Sequence, residues 1–392
     1  MAALVLGTDG NFYGTAFLGG ANNCSSGLGC GTIFKITPAG VLTTLHLFCT
    51  QAGCADGDGP GGLVQGRDGN FYGITARGGS NTCPNTCGTV FKITPAGMFT
   101  TLYKFSPADG YDASPLAGLV QASDGNFYGT TQEGGPGAGC GSGCGTVFRI
   151  TPRGVLTTLH SFTGIGEEGR GPDPTLIQAA DGNLYGTTGG GGNGQGCFHG
   201  GCGTVFKITL QGAFTTLADL SITDGSGPFG LIQGTDGNFY GAAVDGGSGE
   251  CNCGSVFEVT PGGVLTPLHS FNISSGGYLP FSSPIQATNG TFYGTTFYST
   301  PGIGSIYSVS VGLGPFIKSV PTAGKIGTTV KILGNNLDSA TGVTFNGVAA
   351  GFTVESSTYI EATVPTGATT GPVQVTLPTG TLTSNVNLQV LP

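Results

Sequence analysis

Cysteine is the residue type here with the most chemistry to offer. Twelve fall in six local pairs: Cys24/Cys30, Cys49/Cys54, Cys83/Cys87, Cys140/Cys144, Cys197/Cys202 and Cys251/Cys253. A structural zinc site draws two short pairs, or one pair and histidines, into a single tetrahedral set. A disulfide needs only two sulfurs brought together by one loop. Leaving Cys49/Cys54 aside, the intervening residues number five, three, three, four and one, so no single ligand geometry is shared by the copies. The spacing predicts loop disulfides Cys24–Cys30, Cys49–Cys54, Cys83–Cys87, Cys140–Cys144, Cys197–Cys202 and Cys251–Cys253. Such bonds belong to an oxidising compartment.

Acids and imidazoles come next. Oxygen-rich loops hold calcium, and Asp56 and Asp58, flanking Gly57, are the candidate ligands. Asp109, Glu167, Glu168, Asp173 and Asp224 lie in comparable loops. The EF-hand spacing is absent, and Asp-Gly is also a turn pair. No other cofactor is expected. Three of the four histidines, His46, His160 and His269, share one register position, where Tyr103 and Asp219 also stand. Free substitution at that position predicts packing. His199, between Cys197 and Cys202, reads as an exposed loop residue with no nucleophile or carboxylate to set beside it. No catalytic residue and no enzymatic activity are expected.

What positions these residues is a repeat. Asp-Gly-Asn-Phe-Tyr-Gly recurs from Asp9, Asp68, Asp124 and Asp236, with Leu for Phe from Asp181 and as Asn-Gly-Thr-Phe-Tyr-Gly from Asn289. Each complete copy holds four short β-branched or aromatic runs bounded by Gly, Pro and Asp. In the third copy run a is 119–122, run b 126–131, run c 145–151 and run d 156–162. Asp-Gly joins a to b and Thr-Pro-x-Gly joins c to d, both tight turns in which the repeated aspartates are turn formers. Four strands per repeat of about 50 residues is the pattern of a propeller blade. A parallel β-helix, with shorter coils, ranks second.

The full repeat, Asp-Gly-Asn-Phe-Tyr-Gly-Thr-Thr, then Gly-Gly, then Gly-Thr-Val-Phe-Lys-Ile-Thr-Pro-x-Gly, closely resembles the GloVer tandem repeat. That repeat occurs in bacterial surface proteins described as having a choice of anchor. More loosely it resembles the sensor-propeller repeat, though this chain has no Trp. The second resemblance implies that run a is innermost and run d outermost. Composition shifts at 312–314, a linker by this reading. Pro315-Phe-Ile-Lys-Ser-Val-Pro321, Gly327-Thr-Thr-Val-Lys-Ile-Leu-Gly334 and Val343-Thr-Phe-Asn-Gly-Val348 then resemble an IPT/TIG domain, an immunoglobulin-like sandwich. The expected fold is therefore all-β: a six-bladed propeller over 1–311, then the immunoglobulin-like domain over 315–392.

Up-and-down strands place the tight a–b and c–d turns at one face and the long, cysteine-bearing b–c and d–a loops at the other. The C-terminal domain is expected to leave from the tight-turn face. The sixth repeat has runs a to c and no run d, which predicts an open strand edge that recruits a foreign strand. Alternation sends the Phe and Tyr of run b to opposite faces of the sheet, as packing between stacked sheets requires.

Composition narrows the function. Net charge is −9 with only 8% charged residues, which excludes the basic footprint of nucleic-acid binding and disfavours anionic lipid. No apolar run approaches the ~20 residues of a transmembrane helix. The opening Met-Ala-Ala-Leu-Val-Leu-Gly has neither the charged nor the apolar region of a signal peptide, so the chain reads as mature or as lacking its true start. The expected role is a non-enzymatic extracellular or cell-surface protein, structural or adhesive. Its expected partners are further copies of itself or other surface proteins, with strand completion of the last blade as the mode of assembly. The alternative is a carbohydrate- or protein-binding propeller that uses the long-loop face.

Overall fold

The computed structural model describes residues 4–20, 28–79, 87–109, 118–137, 139–197, 200–249, 251–273, 277–299 and 302–391. The protein is all-β. Its helix among these residues is confined to two 3-10 turns, Ala52–Cys54 and Leu337–Ser339. No helix is long and apolar enough to cross a membrane.

Each repeat folds as an antiparallel sheet whose neighbours follow chain order. The second is typical: run a is Asp58–Gln65, run b Phe71–Arg77, run c Thr89–Ile93 and run d Phe99–Lys104. In the fourth sheet run a is split into Gly169–Pro172 and Ile177–Gln178, both paired with Leu184–Gly191. Pro174 stands at the break, where it has no N–H to give the ladder. The sixth sheet is Ile285–Gln286, Phe292–Thr296 and Ser305–Val309, and ends there.

The repeated motif is explained by one carboxylate. Asp68 Oδ1 accepts from the Asn70 amide at 3.1 Å, and Oδ2 accepts from Asn70 Nδ2 at 2.7 Å and from the Tyr72 hydroxyl at 2.8 Å. The Asx turn is thereby tied to the core, and the same set recurs at Asp9, Asp124 and Asp181. Burial and the Asp68 carboxylate push the Tyr72 hydroxyl well above its ordinary pKa. Burial opposes ionisation of Asp9, Asp124 and Asp181, but the bonds they accept hold them below the usual carboxylate range. The glycine after the tyrosine is a packing requirement: a Cβ on Gly73 would stand 2.5 Å from the Phe91 ring.

Run b alternates as the pleat demands, and its two rings bind successive sheets together. Tyr13 stacks on Phe71 at 3.9 Å, Tyr72 on Phe127 at 4.1 Å and Tyr185 on Phe239 at 4.1 Å. A glutamine at the end of run a adds a polar clasp. Gln121 Oε1 accepts from the backbone of Arg67, in the turn of the preceding sheet, at 2.9 Å, while its Nε2 donates to the Gly125 carbonyl of its own turn at 2.9 Å. Gln65, Gln178, Gln233 and Gln286 do the same. The register partner of Phe12 in the first sheet is Leu6, where the second sheet has Gln65 opposite Phe71. Stacking buries both faces of the middle sheets, so run c reads as near-continuous core, with Val90, Val147 and Val205 fully buried.

By packing, the chain divides into two units. One contains residues 1–233, 237–284 and 295–306; the other contains 234–236, 285–294 and 307–392. The second unit holds a β-sandwich. One sheet runs Lys318–Val320, Thr329–Leu333, Tyr359–Thr363, Phe352–Ser356, and the other Val348–Ala349, Gly342–Phe345, Val373–Leu377, Gly380–Thr383. Alternation along Thr329–Leu333 buries Val330 and Ile332 against Phe345, Val373 and Val375. In the same unit, residues 312–314 lie against the a–b turn of the sixth repeat. A Cβ on Gly290 would stand 2.1 Å from the Leu313 carbonyl oxygen. The Phe316 amide donates to the Thr288 carbonyl at 2.9 Å and Asn335 Nδ2 to the Thr288 hydroxyl at 2.9 Å.

Candidate binding face

The long b–c and d–a loops carry the cysteines. Bonds join Cys49–Cys54, Cys140–Cys144, Cys197–Cys202 and Cys251–Cys253, with Cα separations of 4.0, 5.3, 5.3 and 5.1 Å. Cys30 and Cys87 are also disulfide-bonded. Their expected partners Cys24 and Cys83 lie outside the described residues, as does His199. Among the described residues no cysteine is free, and no three His, Cys, Asp or Glu side chains gather as a metal site would.

The run-d histidines pack as their free substitution suggests, but with carboxylate partners. His46 lies flat on Phe99 of the next run d, 3.8 Å between centroids, and its Nε2 is 3.2 Å from Asp56 Oδ2. The same oxygen accepts from the Thr50 hydroxyl at 3.0 Å. Asp56 is fully buried; burial alone would raise its pKa, yet the contacts from His46 and Thr50 hold it below the usual range. His160 repeats the unit on Phe214, with Glu168 at 3.8 Å, and Tyr103 donates to Asp109 at 2.8 Å. Burial holds the His160 imidazole below its ordinary pKa, with Glu168 opposing. In each unit a carboxylate sits between a hydroxyl and an imidazole or phenol. A nucleophile–base–orienter relay needs the imidazole in the middle, so this order is that of a loop anchor. The sequence hid these acids because they follow run d at separations that change with loop length.

Of the calcium candidates, Asp56 is engaged in this way. Asp58 is the cross-strand partner of Arg77, whose charge works against the burial that raises the Asp58 pKa. Asp173 is different. It is 4% exposed, its Oδ1 accepts from the Thr175 amide at 3.0 Å, and burial pushes its pKa up to about 7.

Two features of this face were not foreseen. A cleft of about 400 Å³ is lined by Gln132, Glu133, Ser142, Arg170 and the Cys140–Cys144 bond. In the sixth repeat a line of rings reaches the surface. Tyr278 stacks on Tyr298 at 5.4 Å, Tyr298 meets Phe297 edge-on at 4.7 Å, and Phe297 meets Phe281 at 5.6 Å. Phe281 in turn approaches Phe229 at 6.5 Å. Phe281, Phe297 and Tyr298 are 46%, 59% and 40% exposed. The spacing of repeats gives no warning of this line, because it depends on residues that depart from the repeat.

The repeats match the model of the Gloeobacter/Verrucomicrobia repeat over residues 1–199 and 113–309, and the chain belongs to that family. Residues 315–390 match the IPT/TIG domain. No curated protein sequence matches the chain. Among solved structures it is similar to a fungal alcohol oxidase of the AA5 family in complex with copper. The identity is 12% and the TM-score 0.50, covering 99% of this chain and 85% of that one. It is also similar to a luciferin-regenerating enzyme, at 11% identity and TM-score 0.44, covering 80% and 92%. A putative gluconolactonase follows at 14% and 0.38, covering 72% and 82%. At these identities the likeness extends to the fold alone.

Proposed function

We propose that this is a non-enzymatic structural or adhesive protein of the cell exterior. Its repeats form a six-bladed propeller whose last blade is completed by a strand from another copy. One observation carries the reading. Ile306 in run c of the sixth sheet is 78% exposed, whereas Ile33, Val90, Val147, Val205 and Val256 at the same register are at most 1% exposed. Those five face a run d, and among the described residues none lies beside Ser305–Val309. An edge strand that carries a bare apolar residue is a template for strand addition. A head-to-tail contact of this kind between unlike surfaces builds a filament wherever its rotation does not close into a ring. His269 fits the same account: with no further run d among the described residues to supply a ring such as Phe99, it stands exposed.

Support for an exterior location comes from the disulfides. The hydroxyl–carboxylate–imidazole order of the run-d units supports a non-catalytic role. Light scattering and electron microscopy of the non-reduced protein test the proposal. Regular assemblies are expected, lost in Ile306→Lys and suppressed by a peptide with the run-d sequence of residues 155–162. A protein that stays monomeric at all concentrations, or assemblies indifferent to both perturbations, would overturn it.

A further inference from the structure

We infer that the aromatic line of the sixth repeat is a binding platform for a neutral oligosaccharide. This inference stands apart from strand completion and uses other residues.

The repeat serves as its own control. Where packing decides, the residues are alike in every copy. The sixth and seventh positions counted from the first ring or Leu of run b differ freely: Phe17-Leu18, Ala76-Arg77, Gln132-Glu133, Gly189-Gly190, Val244-Asp245 and Phe297-Tyr298. The second of these is exposed in Leu18, Arg77 and Asp245 as well as in Tyr298, and half-buried in Glu133 and Gly190, so its exposure is not confined to the sixth sheet. Across the ladder the partner varies in step. Asp58 stands opposite Arg77 and Ser226 opposite Asp245, whereas Tyr278 stands opposite Tyr298. Among the described pairs only the sixth repeat places rings on both sides.

The rings are held. Tyr278 and Tyr298 exchange backbone bonds of 2.8 and 3.2 Å, and the Phe297 amide donates to the Leu279 carbonyl at 3.0 Å. The Leu279 amide donates to the carbonyl of Cys253, itself bonded to Cys251. Exposed apolar rings on a stapled, hydrogen-bonded support lose little freedom when a ligand binds.

Charge then selects the ligand class. Residues 270–317 contain no Asp, Glu, Lys, Arg or His. The polar groups beside the rings are hydroxyls, from Tyr278, Tyr298, Ser282, Ser283 and Ser299. That segment offers no counter-charge of its own for a phosphate, a uronic acid or a basic peptide. It matches a ligand whose faces are C–H and whose rim is hydroxyl, which is a neutral sugar chain laid along the rings.

Isothermal titration of the full chain with xylohexaose, cellohexaose and maltohexaose tests this, with a heparin hexasaccharide as the charged control. At least one neutral probe is expected to bind. The double variant Phe297→Ala/Tyr298→Ala should weaken it about tenfold or more with an unchanged melting midpoint. Ile306→Lys should leave the affinity unaltered, which separates this site from the assembly edge. Absence of binding by all three neutral probes, equal binding by the double variant, or binding of the charged probe alone would overturn the inference. So would a double variant that loses self-association while no sugar binds, since the rings would then face another protein.

Discussion

Asp173 sets up a pH dependence whose sign and size follow from its burial. It lies between the two segments of run a in the fourth sheet, with its backbone amide donating to the Thr187 carbonyl at 2.8 Å and its carbonyl accepting from Thr130 at 3.0 Å. Its folded pKa of about 7 stands above the reference 3.8 because burial penalises the anion. A carboxyl raised on folding binds its proton more tightly in the native state. Stability is therefore greatest below the unfolded pKa and declines as pH rises toward 7. A difference of about three units corresponds to ~4 kcal/mol between pH 3.5 and pH 8. Asp173→Asn keeps an acceptor for the Thr175 amide and supplies a neutral donor in place of the protonated acid. Denaturant unfolding of both proteins across pH 3.5–8 should give curves that coincide at the acid end. They should diverge from about pH 4, with the variant the more stable by up to ~4 kcal/mol at pH 8. Comparing the two removes the contribution of Asp9, Asp124 and Asp181, whose depressed pKa values act in the opposite direction. Parallel curves, or a variant less stable at pH 8, would show that Asp173 is not held as a buried neutral acid.

Three further outcomes are expected. Tyr72→Phe removes one hydroxyl bond to a carboxylate that retains two others, and should cost about 1–2 kcal/mol in chemical denaturation, with the core ring still in place. Gln178→Ala breaks the bond from the Ser123 amide and frees the Gly182 carbonyl; a loss of about 1–2 kcal/mol is expected, with faster hydrogen exchange at Ser123. His46→Ala leaves the buried Asp56 carboxylate without its imidazole and uncovers Phe99, and should destabilise by about 2–4 kcal/mol with the larger deficit at neutral pH.

Much of the architecture could be read from the chain because the repeat writes it six times. The turn at Asp68-Gly69, the alternation of Phe71 and Tyr72 and the absence of run d after Val309 all follow from local rules of turn and pleat. The clasp was equally open to view, since Gln65, Gln121, Gln178, Gln233 and Gln286 recur in phase. It reads as an ordinary polar residue at a strand end until the neighbouring turn is in place. Asp56 and Glu168 were harder. They reach their histidines across loops of different length, and separation along the chain carries no information about a contact that only the stacked sheets create. The ring line of Phe281, Phe297 and Tyr298 is the opposite case. It breaks the period, and a reading tuned to what recurs passes over what does not.

The clasp has a direction: each sheet accepts from the turn of the one before it and offers its own turn to the one after. Every internal junction is thus made from the same two halves, whichever copies supply them. Duplication or loss of one copy in the gene would rejoin a turn and a glutamine that already fit, and the clasp itself would need no compensating substitution. At the clasp the outermost copies differ, where Leu6 replaces the glutamine and where Thr288 meets Phe316 and Asn335. Lineages of such proteins should accordingly differ in copy number more readily than in the residues of any interior junction.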